Sequence, residues 1–373
     1  MKKFMGLSFI LLMSGLVGCS STEQPEVQEK VETQTETSTE TKEEVKEEVK
    51  EETKEEVKEE TSTGNTLEFV NGTKELPTEF DNFVILDYTL IDQFVGLDVA
   101  PKYANRGATP TAETKPSTVS YYNDGWVRAF EGFDLETITR IDTKSDTYME
   151  ELVEYKPDFI VVTESYEKYL DKFEAIAPTY MFPDTFDVPE GSALWKEELR
   201  FVGQFLGKSE LAEQKIKEYD ELVATSRAAV ADEIEGKTAL VLQLNEKGFK
   251  IRMPETQSSI YADMGFLVPE GLDDSFASTG VSNEDGSFPV EQIIEFNPDY
   301  IFIQNQSHDN YNALVGTPIW ENINAVKEGR DYEITQSGWN HINGVLANTM
   351  RIEDIVYFIQ EDKQISTYTP IVD

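Results

Sequence analysis

Two similar stretches of sequence decide the fold. The first is Glu150-Glu-Leu-Val-Glu-Tyr-Lys-Pro-Asp-Phe-Ile-Val-Val162, and the second, 141 residues later, is Glu291-Gln-Ile-Ile-Glu-Phe-Asn-Pro-Asp-Tyr-Ile-Phe-Ile303. Each begins as a short amphipathic helix that proline stops, and continues as an apolar run typical of a strand buried on both faces. A helix followed by a buried strand is the unit of a parallel α/β sheet. The repeat therefore predicts an α/β protein with two similar, Rossmann-like lobes.

The segments around the repeat fit two lobes joined by a helix. Residues 83–86 are typical of a buried strand, followed by Asp87 where a helix would be capped, and residues 238–243 are their counterpart in the second lobe. Between the lobes, apolar residues keep helical spacing from 192 to 233, with one interruption at Gly207. We therefore predict an N-terminal lobe at 67–191, a stiff connecting helix at 192–233, a C-terminal lobe at 234–373, and a ligand cleft between the lobes.

The first 66 residues predict export and a tether. Lys2 and Lys3 precede an apolar run at 4–17 that is short for a transmembrane helix and usual for a secretory signal. The run ends at Cys19, the only cysteine of the chain, in a context that resembles the lipobox of bacterial lipoproteins. We expect residues 1–19 to be a signal peptide, Cys19 to carry lipid, and residues 20–66, rich in Glu, Lys and Thr, to be a disordered acidic tether.

The charge of the chain excludes several partners. The formal net charge is -40, and after Thr66 there remain 56 acidic and 24 basic residues. Nucleic acid and anionic lipid headgroups are poor partners for such a surface. An anionic ligand would have to be held by locally placed Arg or Lys.

The sequence gives little support for catalysis or for a site that binds a free metal ion. The chain has two histidines and no cysteine after Cys19, so a site for a free transition metal is not expected. The sequence contains no Gly-x-Ser-x-Gly, Gly-x-Gly-x-x-Gly or P-loop motif. Acidic residues are too numerous for a catalytic pair to be chosen, so an acidic surface hydrolase stays open as an alternative.

From about Phe80 to Gln360 the chain resembles the siderophore-binding proteins of ATP-driven (ABC) importers, which have two α/β lobes joined by a long helix. The resemblance rests on the doubled block, on Phe205-Leu-Gly-Lys208, and on the closing Gly338-Trp339 and Arg351-Ile-Glu-Asp-Ile-Val-Tyr357. It implies a monomeric, non-enzymatic lipoprotein on the extracytoplasmic face of a cell membrane, since Gram-positive relatives use the same anchor. Iron would arrive as part of a ferric siderophore or ferric citrate, and no cofactor would be bound directly.

The resemblance also implies a docking surface. In the family, one glutamate on each lobe contacts arginines of the permease, and motif alignment places Glu150 and Glu291 at those positions. The spacing alone is equally typical of solvated acids in the first turn of a helix.

The ligand residues are predicted from loops that line the cleft in relatives. Bulky anionic iron complexes need cationic and aromatic side chains. The candidates are Tyr88, Arg106, Arg128, Arg252, Trp339 and His341, and His308 is a weaker one. Haem remains the alternative ligand, because His341 and Met350 could serve as axial ligands. The class of siderophore is left open.

Overall fold

The computed structural model describes two α/β lobes and the helices between them. The described residues are 65–105, 138–143, 145, 147–252, 254, 257–272, 287–305, 307–334, 339 and 343–361. Both lobes lie within one unit, Thr61–Asp373. The predicted signal peptide, Cys19 and the predicted tether as far as residue 64 lie outside the described residues, and Thr66, the last residue of the predicted tether, begins β1. Among the described helices, none combines the length and the apolar composition that crossing a membrane requires.

The N-terminal lobe is built on a parallel sheet. A hairpin of two antiparallel strands precedes it and contacts its last strand. The elements in chain order are β1 Thr66–Phe69, β2 Gly72–Glu75, β3 Phe83–Ile85, α1 Ile91–Gly96, β4 Tyr103–Ala104, β5 Thr139–Arg140, α2 Tyr148–Tyr155, β6 Phe159–Thr163, α3 Leu170–Glu174 and β7 Thr179–Phe182. The strand order is β5-β4-β3-β6-β7, and all neighbours are parallel.

The C-terminal lobe carries a smaller, mixed sheet. After α4 Leu194–Phe205, α5 Ser209–Ala229 and α6 Ala231–Ile234, the elements are β8 Ala239–Asn245, β9 Gly248–Ile251, α7 Val290–Phe296, β10 Tyr300–Asn305, α8 His308–Leu314, α9 Asn324–Lys327, β11 Asp331–Ile334 and α10 Val345–Glu361. The strand order is β11-β10-β8-β9, in which only β9 is antiparallel to its neighbour.

The repeat that predicted two lobes is confirmed element by element. The first copy forms α2 and β6, and the second forms α7 and β10. Both helices end in a left-handed residue immediately before proline, Lys156 with φ 47° and Asn297 with φ 40°. Every residue of β6 and of β10 is buried. The sequence pattern therefore predicted the strands at the centre of both cores.

The segment between the lobes is helical, but it is a hairpin and not one continuous helix. The chain turns at Gly207, whose φ is 66°, so that α4 packs back along α5. Arg200 Nε lies 2.7 Å from Glu213 Oε1, and a Cβ on Gly203 would lie 2.8 Å from that of Ala212. The predicted connecting helix therefore reduces to the 21 residues of α5, which are about 30 Å long.

A second connection runs from the N-terminal lobe to the last helix. Asp92, fully buried in α1, accepts hydrogen bonds from the backbone N–H groups of Leu346 and Ala347, both at 2.9 Å. These groups lie in the first turn of α10, where helical N–H groups lack partners. Burial raises the pKa of Asp92 to about 6, although these bonds and the charge of buried Arg351 favour the ionised carboxylate.

Substitution of Asp92 tests this connection. In Asp92→Ala the first turn of α10 loses its acceptor and Arg351 keeps a buried charge with less compensation. We expect the free energy of unfolding to fall by about 3–5 kcal/mol, as when a buried charge pair is broken. Urea unfolding gives the value, and Asp187→Ala, at an exposed position, should change it by less than about 0.5 kcal/mol. Equal losses in both variants would contradict a special role for Asp92.

Candidate functional site

The structure describes five of the predicted site residues. Tyr88, Arg252 and Trp339 were expected in the cleft, and Glu150 and Glu291 on the docking surface. The others, Cys19, Arg106, Arg128 and His341, lie outside the described residues, as does the side chain of His308. These remain predictions.

The carboxyl ends of the N-terminal strands form a hydrogen-bonded rim. Asp87, two residues after the end of β3, accepts through Oδ1 from the Thr89 N–H at 3.0 Å, so it caps the turn that carries Tyr88, as predicted. Its Oδ2 accepts from Thr163 Oγ1 at 2.7 Å, at the end of β6. Next to it, the Tyr166 hydroxyl donates to Leu86 O at 2.8 Å. Because these bonds cross between strands, the backbone under Tyr88 is held in place.

The rim of this lobe is electronegative. Burial raises the pKa of Glu198, on α4, to about 7. The amide of Gln93, which donates to Glu198 Oε2 at 3.1 Å, lowers that pKa. Three carboxylates raise it further: Asp87, Asp92 and Asp184. An anionic ligand at this edge therefore needs positive charge from elsewhere.

Arg252 supplies positive charge from the other lobe. It follows β9, its backbone N–H donates to Val241 O at 2.9 Å, and its Nη2 donates to the side-chain oxygen of Gln243. Burial lowers the pKa of Arg252, and the phenol of Tyr88 acts in the opposite direction. The two side chains therefore lie near each other, although Tyr88 belongs to the first lobe and Arg252 to the second. The structure thus brings together two of the residues predicted for the cleft.

Trp339 is placed differently from the prediction. It has no exposed surface, its ring stacks on Phe302 with centroids 5.2 Å apart, and its Nε1 donates to Asp354 Oδ2 at 2.9 Å. Phe302 and Asp354 come from β10 and α10, so the side chain fills the core beneath the site, and its one polar atom already has a partner there. Met350 is likewise buried in this core, which leaves no exposed sulfur for a haem iron.

Glu150 and Glu291 occupy equivalent exposed positions. Each lies in the first turn of its helix, α2 or α7. No hydrogen bond or ion pair joins either side chain to another described residue. In a parallel α/β unit, a helix that leads into a strand begins at the edge where the strands end. Both acids therefore lie at the edge of their lobe where the strands end, and in the N-terminal lobe this edge also carries Tyr88.

Within the part of the chain that the structure describes, no three His, Cys, Asp or Glu side chains are grouped in a way that could hold a metal ion. The site offers instead a guanidinium, a phenol and amides, which suit the organic shell of a ligand and not bare metal coordination.

Comparison with known proteins shows which family this architecture belongs to. A family described as "Periplasmic binding protein" matches residues 84–337. The "Iron-uptake system-binding protein" of Bacillus subtilis (strain 168) is 27% identical over 198 residues, which are 51% of this chain and 58% of that protein. The chain thus spans little more than half of this relative's length. The "Probable siderophore-binding lipoprotein YfiY" of the same organism is 22% identical over 96% of this chain and 99% of its own.

A solved structure shares the fold. It is that of the triscatecholate siderophore binding protein FeuA from Bacillus subtilis, complexed with ferri-bacillibactin. The TM-score is 0.58 at 19% sequence identity, and the match covers 79% of this chain and 98% of the other. The two-lobed architecture is therefore confirmed.

Proposed function

The chain belongs to the periplasmic binding protein family, and on that premise we propose that it captures a ferric siderophore or ferric citrate and delivers it to the permease of an ABC importer. The observation that carries the proposal is that Tyr88 of the first lobe lies near enough to Arg252 of the second for its phenol to raise the pKa of that guanidinium. A phenol and a guanidinium together suit a ligand with an organic shell and anionic oxygens.

The expected ligand chemistry follows from the charge distribution. The chain as a whole carries -40, and the N-terminal rim is rich in carboxylates. Long-range attraction therefore cannot draw in an anionic complex, and short-range contacts with Arg252 have to hold it. Arg106, Arg128 and His341 are proposed as further contacts from the cleft loops. Iron is cargo within the ligand, and we propose no resident cofactor and no catalytic residue.

The name of one relative, a probable siderophore-binding lipoprotein, supports both siderophore capture and an anchored location, and the name of another supports iron uptake. We propose that Cys19 carries the lipid that holds the protein, as a monomer, on the extracytoplasmic face of the membrane. A Cys19→Ala variant should fail to incorporate a labelled fatty acid and appear in the medium, and membrane retention of that variant would contradict the anchor.

Docking is proposed through the two equivalent acids. Glu150 and Glu291 are exposed at the edge of the lobes that carries the cleft, so a permease bound there would face the ligand. Charge-assisted pairs with permease arginines would align both lobes on the partner.

Charge reversal tests docking separately from binding. In the double variant Glu150→Lys and Glu291→Lys, we expect uptake of the ferric ligand by cells to be abolished while the isolated protein keeps its affinity. The matched control reverses Glu79 and Glu235, which are exposed and precede the first strand of each sheet, at the opposite edge. Normal uptake by the first double variant, or an equal loss in the control, would contradict the docking surface.

Substitution of Arg252 tests the pocket. Titration with ferric siderophores and ferric citrate, followed by the fluorescence of the four tryptophans, first identifies a ligand. Loss of a charge-assisted hydrogen bond of about 1.5–3 kcal/mol should then weaken that ligand about ten- to a hundredfold in Arg252→Ala.

Arg200→Ala is the control for this titration, because Arg200 pairs with Glu197 and Glu213 on the helical hairpin. We expect it to bind like the parent. If Arg252→Ala binds within a factor of two of the parent, the site is not built around this charge, and a neutral hydroxamate complex becomes the better candidate.

A further inference from the structure

Two glutamines end neighbouring strands of the C-terminal sheet side by side. Gln243 in β8 and Gln304 in β10 are register partners on parallel strands, so their side chains lie on the same face. The preceding residues on that face, Val241 and Phe302, belong to the larger core cluster. Gln243 also accepts the hydrogen bond of Arg252. By register, the row across the sheet runs from Lys250 in β9 through Gln243 to Gln304. The side chain of Arg252, two residues after Lys250, reaches Gln243 from the β9 side.

Gln304 differs from its neighbours because it is buried without a partner. Its exposed fraction is 0%, and neither Nε2 nor Oε1 forms a hydrogen bond within the structure described. The buried Nε of Arg252 also lacks an acceptor there. A buried amide without partners is destabilising, and nearly all such groups in native proteins are satisfied by protein, water or ligand.

A second buried glutamine is bonded through its amide nitrogen. Gln93, in α1, is also 0% exposed, and its Nε2 donates to Trp195 O and to Glu198 Oε2, both at 3.1 Å. Only its Oε1 lacks a partner among the described residues, whereas Gln304 lacks partners at both amide atoms. Gln93 is thus integrated into the core of its lobe. Gln304 has the same burial and none of the bonds, and it lies at the strand ends where ligands bind in α/β folds.

We propose that Gln304, with Nε of Arg252, binds an amide group in the organic shell of the ligand, which makes an amide-bearing ferric siderophore the substrate in preference to ferric citrate. The inference rests on the proposed function. Gln304 needs a partner that both accepts from Nε2 and donates to Oε1, and an amide does both through its C=O and N–H. Ferric citrate at neutral pH offers carboxylate and alkoxide oxygens, which accept but do not donate.

The experiment compares Gln304→Met with Gln93→Met, two nearly isosteric changes at fully buried glutamines. Binding of ferri-bacillibactin, whose catechol rings are attached through amides, and of ferric citrate is measured by fluorescence, and thermal stability is measured without ligand. For Gln304→Met we expect about five- to a hundredfold weaker binding of ferri-bacillibactin, the loss of two neutral hydrogen bonds. Its ligand-free melting temperature should equal or exceed that of the parent.

The control should behave in the opposite way. Gln93→Met should lower the ligand-free melting temperature, because it removes the two hydrogen bonds of Nε2. The inference is overturned if Gln304→Met binds ferri-bacillibactin like the parent, if it weakens ferric citrate equally, or if it loses ligand-free stability as Gln93→Met does. The last result would assign Gln304 to a structural water. Failure of the parent to bind either complex would overturn the proposed function itself, and this inference with it.

Discussion

A carboxylate from the N-terminal lobe caps the last helix of the chain, and the geometry of the site depends on this contact. Asp92 accepts two backbone hydrogen bonds at the start of α10, 254 and 255 residues away in sequence. A Cβ on Gly344 would lie 2.4 Å from Asp92 Cγ, so the approach leaves no room for a larger residue. The lobes are thus joined by α5 and by this cap. Two connections restrict movement of the lobes relative to each other more than one helix would.

The site combines unlike halves. The N-terminal rim is built from carboxylates and hydroxyls that hold one another, while the C-terminal half presents a guanidinium and amides. Burial raises the pKa of Glu198 and lowers that of Arg252, in each case because a charged group is removed from water. In the proposed function, the anionic groups of the ligand would therefore contact the second lobe, and its organic shell would face the first. This separation of charge between the two halves suits a ligand that carries its anionic groups on one side and its organic groups on the other.

The sequence predicted what is local and missed what is assembled from distant segments. The repeated block identified both central strands and the ends of both preceding helices, because proline and apolar runs act within a few residues. It also placed Tyr88 and Arg252 at strand ends. In the sequence, the reversal at Gly207 showed only as an interruption of the helical spacing. The packing of α4 on α5 could not be read there, because it depends on pairs such as Arg200 and Glu213. Trp339 was assigned to the cleft from its loop position, and its burial was missed because its partners come from β10 and α10. Asp92 and Gln304 carried no local signal, for each is defined by burial that only the folded chain creates.

The central claim is that a ferric complex binds between the two lobes, against Tyr88 and Arg252. Anomalous diffraction at the iron edge, from crystals of the protein grown with ferri-bacillibactin, tests it most directly. The account predicts a single iron peak between these two residues, with the ligand's oxygens and no protein side chain coordinating the metal. A peak on the outer surface, or iron coordinated by carboxylates of the N-terminal rim, would contradict it.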